Sequence, residues 1–222
     1  MDRIWYFSPS CQAANIGVSG YGSEKEQMNL LLDEIIPHLD RAGVSFHRGD
    51  PDMTIQQRTT ESNRMGACFH LALHSNAGGN GKARGPVAYY YSDTGKAFGE
   101  MMVTSLLALG QENNRNANTK ENKSLYELRC TQAPACLLEV DFHDSISGVE
   151  FLTKRRSEIA EAIARVIIET DGKEFVPVTA GEYADQAVKL GLFPSNTRWD
   201  APLTKDEAAT LMVKLLNLCK RG

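Results

Sequence analysis

The chain has 222 residues, 42% of them hydrophobic and 23% charged, with a formal net charge of −4; this fits one ordinary domain with a small appendage and excludes disordered and fibrous classes. A weakly acidic balance without a lysine or arginine cluster argues against nucleic-acid binding, which needs a basic surface to displace counterions from phosphates. No run approaches the roughly 18 apolar residues of a membrane span. The N-terminus, MDRIWYFSPS, carries charge at positions 2 and 3 and polar residues by position 8, so no signal-peptide core follows. The expectation is synthesis in the cytoplasm, with any extracellular target reached by lysis or another non-Sec route. Cys11, Cys68, Cys130, Cys136 and Cys219 are an odd number without zinc-ribbon or disulfide-scaffold spacing, and most of them read as buried thiols.

In chain order, Ile4 to Phe7 is a short apolar run ended by Ser8-Pro9-Ser10, a first strand delivering a loop. The glycine-rich stretch Cys11 to Ser23 is that loop. Ser23 or a neighbour caps a helix beginning near Glu24, with Met28, Leu31, Leu32, Ile35, Ile36 and Leu39 at helical spacing. Gly43 ends it, Val44 to His47 gives a second strand, and a polar helix runs from about Thr54 to Arg64. Cys68 to Leu73 is too short for a typical helix and is closed by Gly and Asn punctuation, so it reads as a buried strand with His74 at its C-terminal end. Pro86 to Tyr91 is a further strand and Gly95 to Leu109 a helix. Gly110 to Lys123 is polar, with five asparagines, and is expected to be an exposed excursion. Ala133 to Val140 is a second continuous apolar run, bearing Glu139. Ile146 to Ile168 reads as one long helix.

Strands alternating with helices imply an α/β fold, a mostly parallel twisted sheet covered by helices on both faces. Residues 1–175 make this domain. Residues 176–222 read as a small helical extension, with a capping box at Thr204-Lys205-Asp206-Glu207. It is too small for an independent core and must dock on the main domain or on another copy, as in a homodimer.

There is no GxSxG elbow, P-loop or HExxH helix. What remains is a set of carboxylates and imidazoles at strand ends or helix starts: Glu24, His74, Glu139 and His143. A parallel sheet gathers its strand C-termini on one edge, where ligands bind. Ligands with an activated water and an unligated carboxylate base are the parts of a hydrolytic zinc site. The competing reading makes Glu24 a charge favoured by the helix dipole and Glu139 the partner of a buried arginine. His70 lies about 13 Å along the strand from His74 at roughly 3.3 Å per residue and reads as structural.

The segments SPSCQAANIG, EKEQMNLL, QQRTTESN leading to LALHSNAGG, and PACLLEVDFHDS resemble the zinc-dependent N-acetylmuramoyl-L-alanine amidase family called amidase-3, in the family's order over roughly residues 3 to 170. The resemblance implies Zn2+ as cofactor and bacterial cell-wall peptidoglycan as substrate. It also implies cleavage of the amide between N-acetylmuramic acid and the L-alanine of the stem peptide, as by a phage or prophage endolysin or a sporulation hydrolase. His74 and Glu24 match metal ligands and Glu139 the catalytic glutamate; Arg58 and Asn63 fall at the family's spacing before the histidine. Glu26 is the alternative to Glu24. The family's first histidine ligand is replaced: position for position it becomes Cys11, and Gln12 is the neighbouring choice for the third ligand, with His143 a further one. The loop from Asn76 to Arg84 shapes the substrate groove, with Asn76 and Arg84 contacting substrate. The rival reading is a peptidoglycan-binding module that lost catalysis with that histidine. AVKLGLF and WDAPLTKDEAATLMVKLL resemble half of an S-layer-homology motif.

Overall fold

The computed structural model describes residues 3–78 and 80–177. Nearly all of the predicted extension, with its S-layer-like segment, its capping box and the dimer contact assigned to it, lies outside the described residues. Among those residues no helix is long and apolar enough to cross a membrane.

Six strands form one sheet: β1 (Trp5–Pro9), β2 (Phe46–Arg48), β3 (Phe69–Asn76), β4 (Val87–Tyr90), β5 (Thr119–Glu121) and β6 (Ala135–Phe142). Their spatial order is β2-β1-β3-β6-β4-β5. Pairing is parallel except between β4 and β6, where Val87 faces Glu139 in an antiparallel register. The helices are α1 (Glu24–Ala42), α2 (Ile55–Met65), α3 (Asp93–Leu107), α4 (Tyr126–Cys130), α5 (Ile146–Lys154) and α6 (Arg156–Thr170).

Side chains alternate across a strand, and here the two faces differ in chemistry. Phe69, Leu71 and Leu73 of β3 join Trp5, Phe7, Leu138 and Val140 in the large core. The apolar stripes of α1, α3, α5 and α6 bury against them. The opposite face carries His70, Ala72 and His74 of β3, with Leu137 and Glu139 of β6. Among the described residues, Ala72, Leu128, Ala135 and Leu137 form a small buried apolar cluster there, with Tyr89 and Leu125 packed against it. The rest of that face is polar and internally bonded: His70 Nε2 meets Glu127 Oε1 at 3.0 Å, its Nδ1 meets Ser62 Oγ at 3.0 Å, and its ring stacks on Tyr6.

Arg58, fully buried on α2, fixes the end of β1. Its guanidinium donates to Ser8 Oγ at 3.2 Å, to the Pro9 carbonyl and to the Asp50 carbonyl at 3.1 Å. Buried cations persist only when bonded in this way. Asn63 ties α2 to the start of β6 through the Cys130 carbonyl (2.9 Å) and the Gln132 amide (2.8 Å).

One expectation is corrected and another gains detail. The stretch from Ile146 is not one helix: Arg155 leaves helical dihedrals (φ −116°, ψ 23°) and separates α5 from α6, its guanidinium bonded to the Leu109 carbonyl at 2.7 Å. The apolar stripe continues across this one-residue break, so periodicity does not register it. The asparagine-rich excursion is exposed along most of its length, as expected, and is also knitted to its neighbours and contains β5. Asn114 accepts from Arg84 N and donates to the Lys82 carbonyl, and Asn118 donates to the Pro86 carbonyl; side-chain amides here do the work of a backbone ladder.

Candidate active site

Ser23 caps α1, its Oγ accepting from Glu26 N at 3.2 Å. The first amides of a helix lack internal partners, and the preceding loop supplies them: Glu24 N donates to the Asn15 carbonyl at 2.8 Å and Lys25 N to the Gln12 carbonyl at 3.4 Å. The loop leaving β1 is thereby folded over the helix start, above the C-terminal end of β3.

Four of the predicted residues converge. Glu24 Oε1 lies 2.7 Å from His74 Nδ1, and the Gln12 amide lies 3.3 Å from the same nitrogen. Glu139 is the direct register partner of His74 in the β3–β6 pair. Gln12, His74 and Glu139 line a cavity of about 280 Å³ that continues along Ile55, Tyr89, Leu125, Tyr126, Glu127 and Leu137.

The two carboxylates beside His74 differ in state. Burial pushes Glu24 up, but bonds from His74 and Asn15 outweigh it and hold the carboxyl below its usual range. Burial opposes charge on His74 also, yet Glu24 and the field of Glu139 raise it above an ordinary histidine. Glu139 is half-buried as a residue, but its Oε2 is sealed from solvent without a hydrogen-bond partner. Burial pushes its pKa from 4.5 to about 7, the attraction of His74 only partly offsetting it. A carboxyl poised near neutrality is suited to taking and returning a proton.

The other predicted residues are placed elsewhere. Glu26 is exposed, so Glu24 is the carboxylate at His74. Cys11 is a half-buried free thiol and is not among the residues lining the cavity. His143 bonds Ser75 Oγ at 2.9 Å and stacks on Tyr21, and it is not among the residues lining the cavity. Asn76 turns its Oδ1 to Ala77 N and bonds Tyr89. The Arg84 guanidinium folds back on the Gly81 and Ala83 carbonyls, and neither Asn76 nor Arg84 lines the cavity. His70 is structural, as read.

Sequence reasoning missed Asn15, whose Nδ2 donates to Gln12 Oε1 and to Glu24 Oε2, each at 2.7 Å, and Glu127 and Tyr89 in the cavity wall. The spacing of Asn15 from Gln12 and Glu24 is the one signal that could have raised it.

Among the described residues no three His, Cys, Asp or Glu side chains group as for a metal ion. The groups beside His74 Nδ1 are the Glu24 carboxylate and the Gln12 amide nitrogen, the Gln12 oxygen being turned to Asn15. The carboxylate and the imidazole are competent ligands for a divalent cation, whereas an amide ligates only through its oxygen and more weakly than a second imidazole.

The profile of the family described as N-acetylmuramoyl-L-alanine amidase, Amidase_3, matches residues 14–169, beginning just after Gln12. The N-acetylmuramoyl-L-alanine amidase CwlM of Bacillus licheniformis is 27% identical over 169 residues, covering 72% of this chain and 64% of the relative. The chain thus spans less than two thirds of that relative's length. Among solved structures, the catalytic domain of CwlV from Bacillus (Paenibacillus) polymyxa var. colistinus superposes with a TM-score of 0.69 at 20% identity, over 78% of this chain and 99% of that one. AmiC2 of Nostoc punctiforme gives 0.66 at 23% identity, over 76% and 96%. These likenesses establish the fold.

Proposed function

From the premise that the chain belongs to the Amidase_3 family, we propose that it is a zinc-dependent N-acetylmuramoyl-L-alanine amidase, hydrolysing the amide between the lactyl group of N-acetylmuramic acid and the L-alanine of the stem peptide. The observation that carries this reading is the Glu139 carboxyl, unpartnered at Oε2, lining one cavity with Gln12 and His74, the latter bonded to Glu24.

Glu24 and His74 would hold the ion, with Gln12 the third residue beside them. Bound there, zinc supplies a Lewis acid for the scissile carbonyl and lowers the pKa of a water toward about 7. The Glu139 carboxyl accepts a proton from the attacking water and returns it to the departing L-alanine nitrogen; a group near pH 7 can do both. Ile55, Leu125 and Leu137 keep the cavity wall apolar and limit competing water. The cellular setting that fits this chemistry is wall lysis, as by an endolysin or a sporulation hydrolase.

Purified peptidoglycan is incubated with the zinc-supplemented protein and, in parallel, with chelator, and the soluble products are analysed by mass spectrometry. Stem peptides with a free L-alanine amine, absent with chelator and absent for Glu139→Gln, are the expected result. An intact wall at high protein concentration across several peptidoglycan types would replace this reading with that of a wall-binding module.

A further inference from the structure

The cavity runs on past Glu139 and His74. Alternate residues of a strand share a face about 7 Å apart, so Leu137 extends the floor from Glu139, and its register partner Tyr89 widens it. Leu125, Tyr126 and Glu127 make the far wall. Tyr126 is 37% exposed there, on a segment that is tied down. Asn122 N donates to the Tyr90 carbonyl at 2.8 Å, and Asn122 Oδ1 accepts from Ser124 N at 2.9 Å and from Leu125 N at 3.2 Å. A tyrosine presented in this way supplies a large contact area at low cost in conformational entropy.

The charge of the cavity is one-sided. Burial pushes the Glu127 carboxyl up, but bonds from His70 and Ser8 outweigh it and hold it below its usual range. Among the described residues no lysine or arginine lines the cavity. The two sides of the scissile amide differ in the same respect: the stem peptide carries carboxylates, whereas the muramyl sugar, once its lactyl group is amidated, carries no charge. A peptide carboxylate would meet a fixed anion here and no cation, which selects against it. A sugar meets partners for each of its parts. Its hydroxyls can donate to a carboxylate, the C–H face of its ring can lie on a phenol ring, and its acetyl methyl can pack on Leu125 and Leu137. The lactyl link is short, so the ring has to lie beside the carboxyl that serves the scissile carbonyl.

We propose that the groove from Glu139 to Tyr126 is the subsite for the N-acetylated muramyl sugar, with Tyr126 the residue that selects it by stacking on the ring. The proposal rests on the amidase reading above and deepens it by assigning this groove to the sugar side of the substrate.

The test uses two soluble compounds with the same peptide, N-acetylmuramoyl-L-alanyl-D-isoglutamine and the sugar-free D-lactyl-L-alanyl-D-isoglutamine. Release of L-alanyl-D-isoglutamine by the zinc-supplemented full chain is followed for the wild type, Tyr126→Ala and Tyr126→Phe. Expected is a wild-type kcat/KM about tenfold or more higher on the muramyl compound. Tyr126→Ala should lower that ratio about 2- to 10-fold, chiefly through KM, and Tyr126→Phe, which keeps the ring face, should preserve it. A wild type that treats the two compounds alike, or a ratio that Tyr126→Ala leaves unchanged, overturns the proposal while the amidase reading stands. If the wild type hydrolyses neither compound, the amidase reading fails, and calorimetric titration with the same pair decides the subsite by itself. Sugar-dependent binding that weakens in Tyr126→Ala then supports it, and its absence overturns it.

Discussion

Replacing Glu139 by glutamine should stabilise the metal-free protein, and by an amount that depends on pH. The folded-state pKa lies near 7 instead of 4.5 because burial leaves Oε2 without a partner. A carboxyl with a raised folded pKa holds its proton more tightly folded than unfolded. Stability is therefore highest below about 4.5, falls as pH rises through the window from 4.5 to 7, and is flat above it. Each pH unit of that window is worth about 1.4 kcal/mol, so ionising Glu139 costs at most about 3 kcal/mol at pH 8. The amide variant is neutral throughout and escapes this cost. In urea unfolding followed by circular dichroism with chelator present, Glu139→Gln should match the wild type near pH 4.5 and exceed it by about 3 kcal/mol at pH 8, on the order of 10 °C in melting temperature for a domain of this size. It should also lose hydrolysis by a factor of about 10² to 10⁴. A stability gap that stays constant from pH 4.5 to 8 would refute the assignment of a desolvated, unpaired carboxyl.

Three further outcomes follow from particular contacts. His70→Phe strands the buried Glu127 carboxylate and should cost about 3–5 kcal/mol, whereas His70→Phe with Glu127→Leu should recover at least half of it; a urea double-mutant cycle reads the difference. Gly148→Ala would put a Cβ 2.1 Å from the Phe142 carbonyl oxygen and 2.7 Å from Ser145 Oγ. Because the nearer atom is backbone, a loss of about 1–3 kcal/mol is expected, measured by thermal unfolding. Asn114→Ala removes the bonds to Arg84 N and the Lys82 carbonyl, worth about 1–2 kcal/mol together. Native-state hydrogen exchange at the Arg84 amide should accelerate roughly tenfold, and global stability should fall by no more than those bonds are worth.

What the sequence made legible was whatever has a local signal. Ser23 announces the start of α1, and a short apolar run ending at His74 announces a strand C-terminus; in a parallel sheet those positions share an edge, so Glu24, His74 and Glu139 could be brought together across more than a hundred residues. What stayed hidden depends on direction or distance. VAYY reads as a strand but carries no sign that β4 runs antiparallel to β6. Glu127 sits on a five-residue helix without periodicity, and its partner His70 is 57 positions earlier. The polar excursion is exposed, as its asparagines suggest, but the pairing of their amides with the carbonyls and amides of the adjoining loop has no signal in the sequence.

The division of labour between Glu24 and Glu139 is the part that only the geometry could supply. Both are glutamates beside His74, and both are desolvated, so composition and burial do not distinguish them. Bonding does: Glu24 has an acceptor role filled on each oxygen, by His74 and by Asn15, which keeps it ionised and fixed, the condition a ligand needs. Glu139 has an oxygen with no donor in reach, which keeps its proton near balance at neutral pH, the condition an acid–base group needs. Paired carboxyls whose environments drive their pKa values apart are the signature of separate roles. Moving one hydrogen bond would suffice to blur them: a donor introduced opposite Oε2 would pull Glu139 down toward Glu24 and leave the cavity with two fixed anions and no base near pH 7.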